Sequence, residues 1–428
     1  MFLPVAFLVI AACTKVPTAL GPTPTEAQLQ WHRLETYAFI HFGLNTFNDM
    51  EWGYGDTPAE TFNPTSLDCE QWVLTMKACG MQGVILTAKH HDGFCLWPTE
   101  TTDYSIKNSP YKNGEGDVVG ELCEACRKHG LRFGLYLSPW DRHQASYGTS
   151  EYVTLYHRQL QELVDHYGPF FEFWFDGANG GDGWYGGANE TRSIDANTYY
   201  DFEKARDIIC SRYPETMIFG GTVPTVRWIG NERGYASPTL WCTEDDAWLP
   251  AEVDVSIRPG WFYHDNETPK TLDELLEIYY NSVGHNANLL LNFPVNKEGR
   301  IPAVDSLRAL EWHQALQEAF SDNLLKRCKI SFSDPYANLQ EIFFTFEEPT
   351  TLSRLVLQED VTKGQRVEQF TISRYRNGKW LPLDTEEVMT TIGHKRIIRF
   401  KPAEMEKLRI RFIKAKGEVF LSKVSGYK

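Results

Sequence analysis

The sharpest candidate for chemistry in this 428-residue chain is Asp176. It follows the run Phe170-Phe171-Glu172-Phe173-Trp174-Phe175 and precedes Gly177. A carboxylate at the exit of so apolar a strand is partly desolvated, which either costs stability or serves chemistry. Three other apolar runs end in the same manner. The first closes on His41-Phe42-Gly43, the second on Lys89-His90-His91-Asp92-Gly93, and the third on Tyr136-Leu137-Ser138-Pro139-Trp140-Asp141. Ionisable and hydrogen-bonding side chains therefore gather at one end of successive strands.

The chemistry that such a set suggests is attack on a sugar. Glycoside hydrolysis needs two carboxyl groups, about 5–5.5 Å apart for retention and about 6.5–9.5 Å for inversion. Glu172 shares a strand face with Asp176 but lies four residues back, roughly 13 Å away at the rise of an extended chain. The partner must come from another loop, and Glu51, Glu232, Glu244 and Glu252 are the candidates. Twelve of the 13 tryptophans precede residue 328, several beside Gly, Pro, Asp or Glu, a setting that suits stacking on the apolar face of a sugar ring. A metal is not expected. Adjacent histidines of an extended chain point to opposite sides, and no His-x-x-x-His or Glu-x-x-His element is present to join His41, His90, His91 and Asp92 as ligands. Neutral histidines serving hydroxyl groups fit better.

These residues need a frame. Candidate strands are Tyr37–Phe42, Gly83–Ala88, Arg132–Leu137, Phe171–Phe175, Met217–Gly220, Leu240–Cys242 and Asn288–Leu291. Between them run amphipathic patterns, among them Leu67–Cys79 and Glu151–Tyr167, and a Thr271-x-x-Glu274 capping box opens another. A last helical pattern covers Ala303–Phe320. Repeated strand–helix alternation predicts a (β/α)8-like barrel over residues 21–327, with its active site at the C-terminal strand ends. From residue 328 to 428 short alternating strands with turn signals such as Asn377-Gly378 predict an antiparallel β-sandwich. The sandwich has one tryptophan, Trp380, and is expected to be mainly structural.

Composition sets the outer limits. With 42% apolar and 23% charged residues the chain is globular, which excludes disorder and a multi-span membrane protein. A net charge of −15 argues against nucleic acid as a partner. The apolar run Phe2–Ala12 is too short to span a bilayer and, with small residues before Cys13, reads as a lipoprotein export signal over residues 1–20. Membrane anchoring through a lipidated Cys13 and a periplasmic location follow as expectations. The other eight cysteines read as small buried residues, not as a disulfide framework.

Taken together, His41-Phe42-Gly43, Glu51-Trp52, Ala88-Lys89-His90-His91-Asp92-Gly93-Phe94, Tyr136-x-Ser138 and Trp174-x-Asp176-Gly177 resemble glycoside hydrolase family 29, the α-L-fucosidases, from His32 to Pro294. The resemblance implies a retaining exo-glycosidase that uses no cofactor and acts on fucosylated oligosaccharides or glycoconjugates. It implies that Asp176 is the nucleophile and that His41, Glu51, Trp52, His90, His91, Tyr136 and Trp174 line the fucose pocket. The stretches Arg227-Trp228-Ile229-Gly230-Asn231-Glu232 and Ser256-Ile257-Arg258-Pro259-Gly260-Trp261-Phe262-Tyr263 look like the branch that prefers α-1,3/1,4-linked fucose. That likeness implies Glu232 as acid/base, with Glu244 as runner-up, and places Arg258 and Trp261 near the sugar. A broad-specificity fucosidase and a non-catalytic glycan-binding lipoprotein are the competing readings.

Overall fold

The computed structural model describes residues 18–334 and 339–428; the lipidation expected at Cys13 falls outside them. Eight parallel strands form one sheet: β1 (Thr36–Ile40), β2 (Gly83–Lys89), β3 (Arg132–Leu137), β4 (Glu172–Trp174), β5 (Met217–Phe219), β6 (Arg227–Trp228), β7 (Ala251–Ser256) and β8 (Ala287–Asn292). Their order is β5-β4-β3-β2-β1-β8-β7-β6. A single parallel bridge, Phe219 to Val226, joins the two ends and rounds the sheet into a barrel.

Helix α1 (Glu26–His32) precedes the barrel, and α2 (Cys69–Ala78), α3 (Val118–His129), α4 (Ser150–His166) and α5 (Phe202–Cys210) follow the first four strands in turn. α6 (Leu272–Ser282) connects β7 to β8, and α7 (Ala303–Ala319) follows β8. The capping box at Thr271 and Glu274 forms as the sequence indicates. The link from β5 to β6 carries no helix among the described residues; it is a seven-residue turn through Gly220 and Gly221, both with φ near +70°. A Cβ on Gly220 would stand 2.1 Å from the Phe175 carbonyl oxygen, so only glycine allows this approach.

Strand alternation divides the core in two. Ala38, Ile40, Leu135, Leu137, Phe173 and Phe175 face outward and pack under the helices. Tyr37, Phe39, Tyr136, Trp174, Phe219 and Val226 face inward and fill the barrel. The period of two then carries the pattern upward, placing His41 above Phe39 and Asp176 above Trp174.

One strand expectation needs correction. Leu240–Cys242 is not a strand; the chain there leads into a small hairpin, Thr243–Glu244 with Ala247–Trp248. The barrel strand is instead β7, whose sequence Ala-Glu-Val-Asp-Val-Ser sends Ala251, Val253 and Val255 outward and Glu252 and Asp254 inward. Carboxylates on the inner face broke the apolar run that marks other buried strands.

The C-terminal part is antiparallel: β9 (Lys329–Phe332), β10 (Glu341–Glu359), β11 (Val367–Arg376), β12 (Lys379–Pro382), β13 (Arg396–Ala415) and β14 (Leu421–Tyr427). The short strands expected from sequence are fused in pairs into β10 and β13, which bend at register shifts near Thr345–Thr350 and Leu352–Arg354. One half of β10 pairs with β9 and the other with β14, and both halves feed the same core, from Phe344 to Leu357. The sheet is tied to the barrel by Lys395, whose ammonium donates to both Glu35 oxygens at 2.7 Å, and by stacking of His32 on His394 at 4.0 Å.

Candidate active site

Asp176 lies just past β4 with its side chain 24% exposed. Tyr136, inward-facing on β3, donates its hydroxyl to Asp176 Oδ2 at 3.0 Å, and the Ala178 amide donates to Oδ1 at 2.8 Å. His91 Nε2 stands 3.9 Å from Oδ2. Trp174 forms the floor beneath, stacked on Phe219 at 4.1 Å and on Tyr136 at 5.5 Å.

A bulge makes the histidine pair possible. Between Thr87 and Lys89 the register of β2 against β3 slips by one residue. Lys89 is thereby turned outward, where its ammonium donates to Asp141 at 3.2 Å, Tyr152 at 3.2 Å and Gln159 at 2.9 Å. His90 and His91 follow past the strand end and both face the pocket, with ring centroids 4.1 Å apart. The expectation that they point to opposite sides fails because the chain is no longer extended there.

The three pocket histidines have distinct hydrogen-bonding roles, each set by a neighbour. The Asn292 amide group donates to Ser256 and to the Trp261 carbonyl, so its oxygen must accept from His41 Nδ1 at 2.8 Å, leaving His41 Nε2 an acceptor. Asn45 accepts from the Gly53 amide and donates toward His90 Nδ1 at 3.3 Å, leaving His90 Nε2 a donor. Ser138 donates to the Trp140 carbonyl and accepts from His91 Nδ1 at 2.7 Å, leaving His91 Nε2 an acceptor. Burial drives His41 down to about 3, and drives His90 and His91 below the usual histidine range. Neutral rings presenting acceptor, donor and acceptor suit a polyhydroxylated ligand. Asn45, Asn292 and Ser256, which set these roles, were not singled out from sequence; an isolated amide or hydroxyl carries no pattern there.

The remaining calls divide. Trp261 packs on His41 at 5.1 Å and donates its indole N–H to Glu232 at 3.2 Å. A chain of contacts thus runs from Asp176 through Tyr136, His41 and Trp261 to Glu232. Trp52 stands at the rim, 55% exposed, edge-on to His91 at 5.1 Å. Glu51 does not present a free carboxylate: it accepts from the Trp261 and Phe262 amides at 2.9 and 3.1 Å and pairs with His264 at 2.7 Å. It fixes the loop that carries Trp261. Arg258, expected beside the sugar, is buried and spends its guanidinium on Asp305 at 2.8 Å and on the Glu267 carbonyl at 2.6 Å. These bonds make it an anchor of its loop.

The other carboxyl candidates are elsewhere. Glu244 sits in the hairpin that leads into the start of β7, with its carboxylate 3.9 Å from Arg227. Glu252 is sealed inside the barrel, accepting from Trp174 Nε1 at 2.8 Å and from the Tyr37 hydroxyl. Glu172 lies in the same interior and accepts from Trp31 Nε1 at 2.7 Å; burial first and the Glu252 charge second push it well above the carboxylate range. Asp92 is buried and pushed up to about 7 by desolvation. No group of three or more potential metal ligands occurs among the described residues.

The segment 180–198 forms a hairpin, Gly181–Gly183 with Glu190–Arg192, clamped beside the pocket. Its Trp184 stacks on His143 at 4.7 Å, which stacks on Tyr104 at 3.7 Å.

Comparison with known proteins places this arrangement. The alpha-L-fucosidase family model matches residues 22–316. Alpha-L-fucosidase 1 of Arabidopsis thaliana is 38% identical, over 96% of this chain and 88% of its own. A glycoside hydrolase 29 family member from an unknown rumen bacterium superimposes with a TM-score of 0.92 at 46% identity, covering 96% of this chain and 78% of that one. A Ruminococcus gnavus family 29 fucosidase in complex with fucose gives a TM-score of 0.86 at 31% identity over 98% of both chains. With a barrel carrying a carboxylate over a tryptophan floor, and a family match across nearly all of that barrel, the chain belongs to the alpha-L-fucosidase family and is a glycoside hydrolase.

Proposed function

We propose that the protein is a retaining exo-α-L-fucosidase that releases terminal α-1,3/1,4-linked L-fucose from glycans. The observation that carries this reading is Asp176 itself, held by a phenol and an amide but, among the described residues, by no Lys or Arg within ion-pair distance, above the Trp174 floor and among three histidines that burial keeps neutral. Such a carboxylate is free to attack an anomeric carbon and form a glycosyl-enzyme. Glu232 protonates the leaving oxygen and then activates water. Its link to the pocket through Trp261 and His41 supports Glu232 over Glu244 and over Glu252, which is enclosed with Trp174 and Tyr37.

The test pairs a Lewis-type trisaccharide with 4-nitrophenyl α-L-fucoside. Asp176→Ala is expected to lose at least about 10⁴-fold in kcat on both, since removing a nucleophile removes the mechanism. Glu232→Gln is expected to lose trisaccharide turnover far more than release of nitrophenol, which leaves without protonation. Equal loss on both would move the acid role elsewhere. NMR of the first-formed anomer checks retention: α-L-fucose is expected, and β-L-fucose would make the enzyme inverting. The linkage preference rests on the Arg227–Glu232 and Ser256–Tyr263 stretches, and rapid turnover of the aryl fucoside with none of the trisaccharide would overturn it. Export with lipid anchoring rests on Phe2–Ala12 and Cys13 alone, and radiolabelled palmitate incorporation lost in Cys13→Ala is its check.

A further inference from the structure

Besides Trp261, three tryptophans near the pocket could meet a ligand, and they differ in what already covers them. Trp184 is stacked face-on against His143. Trp52 packs edge-on against His91 and Trp140, on the Asp176 side. Trp228 is different. It is 46% exposed, and no aromatic ring or cation of the described residues packs on it. Its single polar atom is nonetheless fixed, because Nε1 donates to Asp254 Oδ1 at 2.7 Å.

The placement follows from strand pairing. Trp228 ends β6 and is the register partner of Glu252 on β7. Partners in a parallel pair project to the same side, and Glu252 lies inside the barrel, as does Val226 two residues before Trp228. Trp228 therefore projects from the inner wall, its ring reaches solvent, and its anchor Asp254 feels the Glu232 charge. Asp254, one inward position above Glu252, is 3% exposed and serves as a rigid post for the indole. Four residues on is Glu232. A large apolar face held open to solvent, with its N–H already satisfied, is preorganised for stacking.

We propose that Trp228, anchored by Asp254, is the platform on which the sugar next to the fucose stacks, and so the leaving-group subsite. This rests on the reading of Glu232 as acid/base. The acid must touch the glycosidic oxygen, so the saccharide beyond that oxygen lies on the Glu232 side of the pocket, where Trp228 stands. The ligand class is a pyranose whose C–H face meets the indole. Asp254 acts through Trp228 and is a positioning residue.

The experiment compares kcat/KM for the trisaccharide with kcat/KM for 4-nitrophenyl α-L-fucoside. Trp228→Ala is expected to lower that ratio by at least about tenfold, equivalent to about 1.4 kcal/mol of transition-state contact. Trp228→Phe, which keeps a ring but not the N–H, lowers it less and covers misfolding of the alanine variant. Asp254→Ala lowers the ratio, and Asp254→Asn restores it, because the amide oxygen still accepts the indole N–H. An unchanged ratio in the Trp228 variants would overturn the subsite while leaving the fucosidase reading intact. A parallel fall on both substrates would also overturn it, by placing Trp228 against the fucose. A wild-type protein that releases fucose from neither substrate removes the fucosidase reading, and the subsite with it.

Discussion

The Asp176 carboxylate rests on a side chain whose own support is buried two levels down. Trp174 donates to Glu252 Oε1 and Tyr37 to the other oxygen; burial pushes both carboxyls upward, and the Glu252 charge pushes Glu172 further, so Glu172 is the one that favours a proton. The pair is therefore asymmetric, with one acid and one acceptor. Glu172→Gln copies the protonated acid and is expected to leave stability within about 1 kcal/mol and kcat nearly unchanged. Glu252→Gln offers one oxygen where two donors need one each, so its amide must face a donor. It is expected to cost about 1–3 kcal/mol in denaturant unfolding and to lower kcat as Trp174 shifts. Equal effects from the two variants would contradict the asymmetry. At this level the sequence was partly transparent. Asp176, His41 and Tyr136 reach one pocket because strand alternation fixes which side of the sheet a residue takes, and His90, His91 and Trp261 join them from past the strand ends. Glu51 and Arg258, read as neighbours of the sugar, also hold the loop, a role that a charged residue in a motif does not reveal.

Among the elements, the bulge in β2 has the largest consequence. It turns one ionisable side chain outward and frees two rings to turn inward. The cost is a lysine buried between sheet and α4, matched by Asp141, with both side chains fully buried. Asp141 Oδ1 in turn caps the His143 and Gln144 amides, each at 3.0 Å. Lys89→Ala leaves that carboxylate uncompensated and is expected to destabilise by about 3–5 kcal/mol in chemical denaturation. A loss below about 1 kcal/mol would mean that water reaches the site. The Lys-His-His-Asp-Gly string was legible as a functional unit, but its division into an outward anchor and inward rings was not. A one-residue register slip leaves no composition signal. β7 was missed for a related reason: its inner face is charged, and a search for apolar runs passes over it.

In the whole molecule, barrel and C-terminal sheet meet across buried histidines. His394 is driven down to about 3 by burial and by nearby Lys395 and Arg33, and His32, stacked on it, is also held well below 6.5. The sign follows from the two states. Above pH 6.5 neither folded nor unfolded chain protonates His394, and it has no effect. Below 6.5 the unfolded chain takes up a proton that the folded one refuses, so stability falls as pH drops from 6.5 toward 3. The slope is up to about 1.4 kcal/mol per pH unit for each such histidine. His394→Gln is expected to flatten the wild-type dependence of unfolding free energy on pH between 6.5 and 5 by up to that amount. Asp92 and Glu359, both pushed up to about 7, work in the opposite direction in both proteins, so the difference in slope is the readout. An identical slope would mean that the histidines reach solvent at the junction.

The barrel closes at a weak place. Between β5 and β6 a single bridge and a short glycine turn stand where β2–β3 and β7–β8 each share six register pairs and are linked through a helix. Asp176 follows β4 on one side of that join, and Glu232 follows β6 on the other. On the proposed assignment, a glycan gripped by both carboxylates would act as a clasp across the join. Occupancy should slow the opening of the barrel there, so the enzyme at work is harder to unfold than the enzyme at rest.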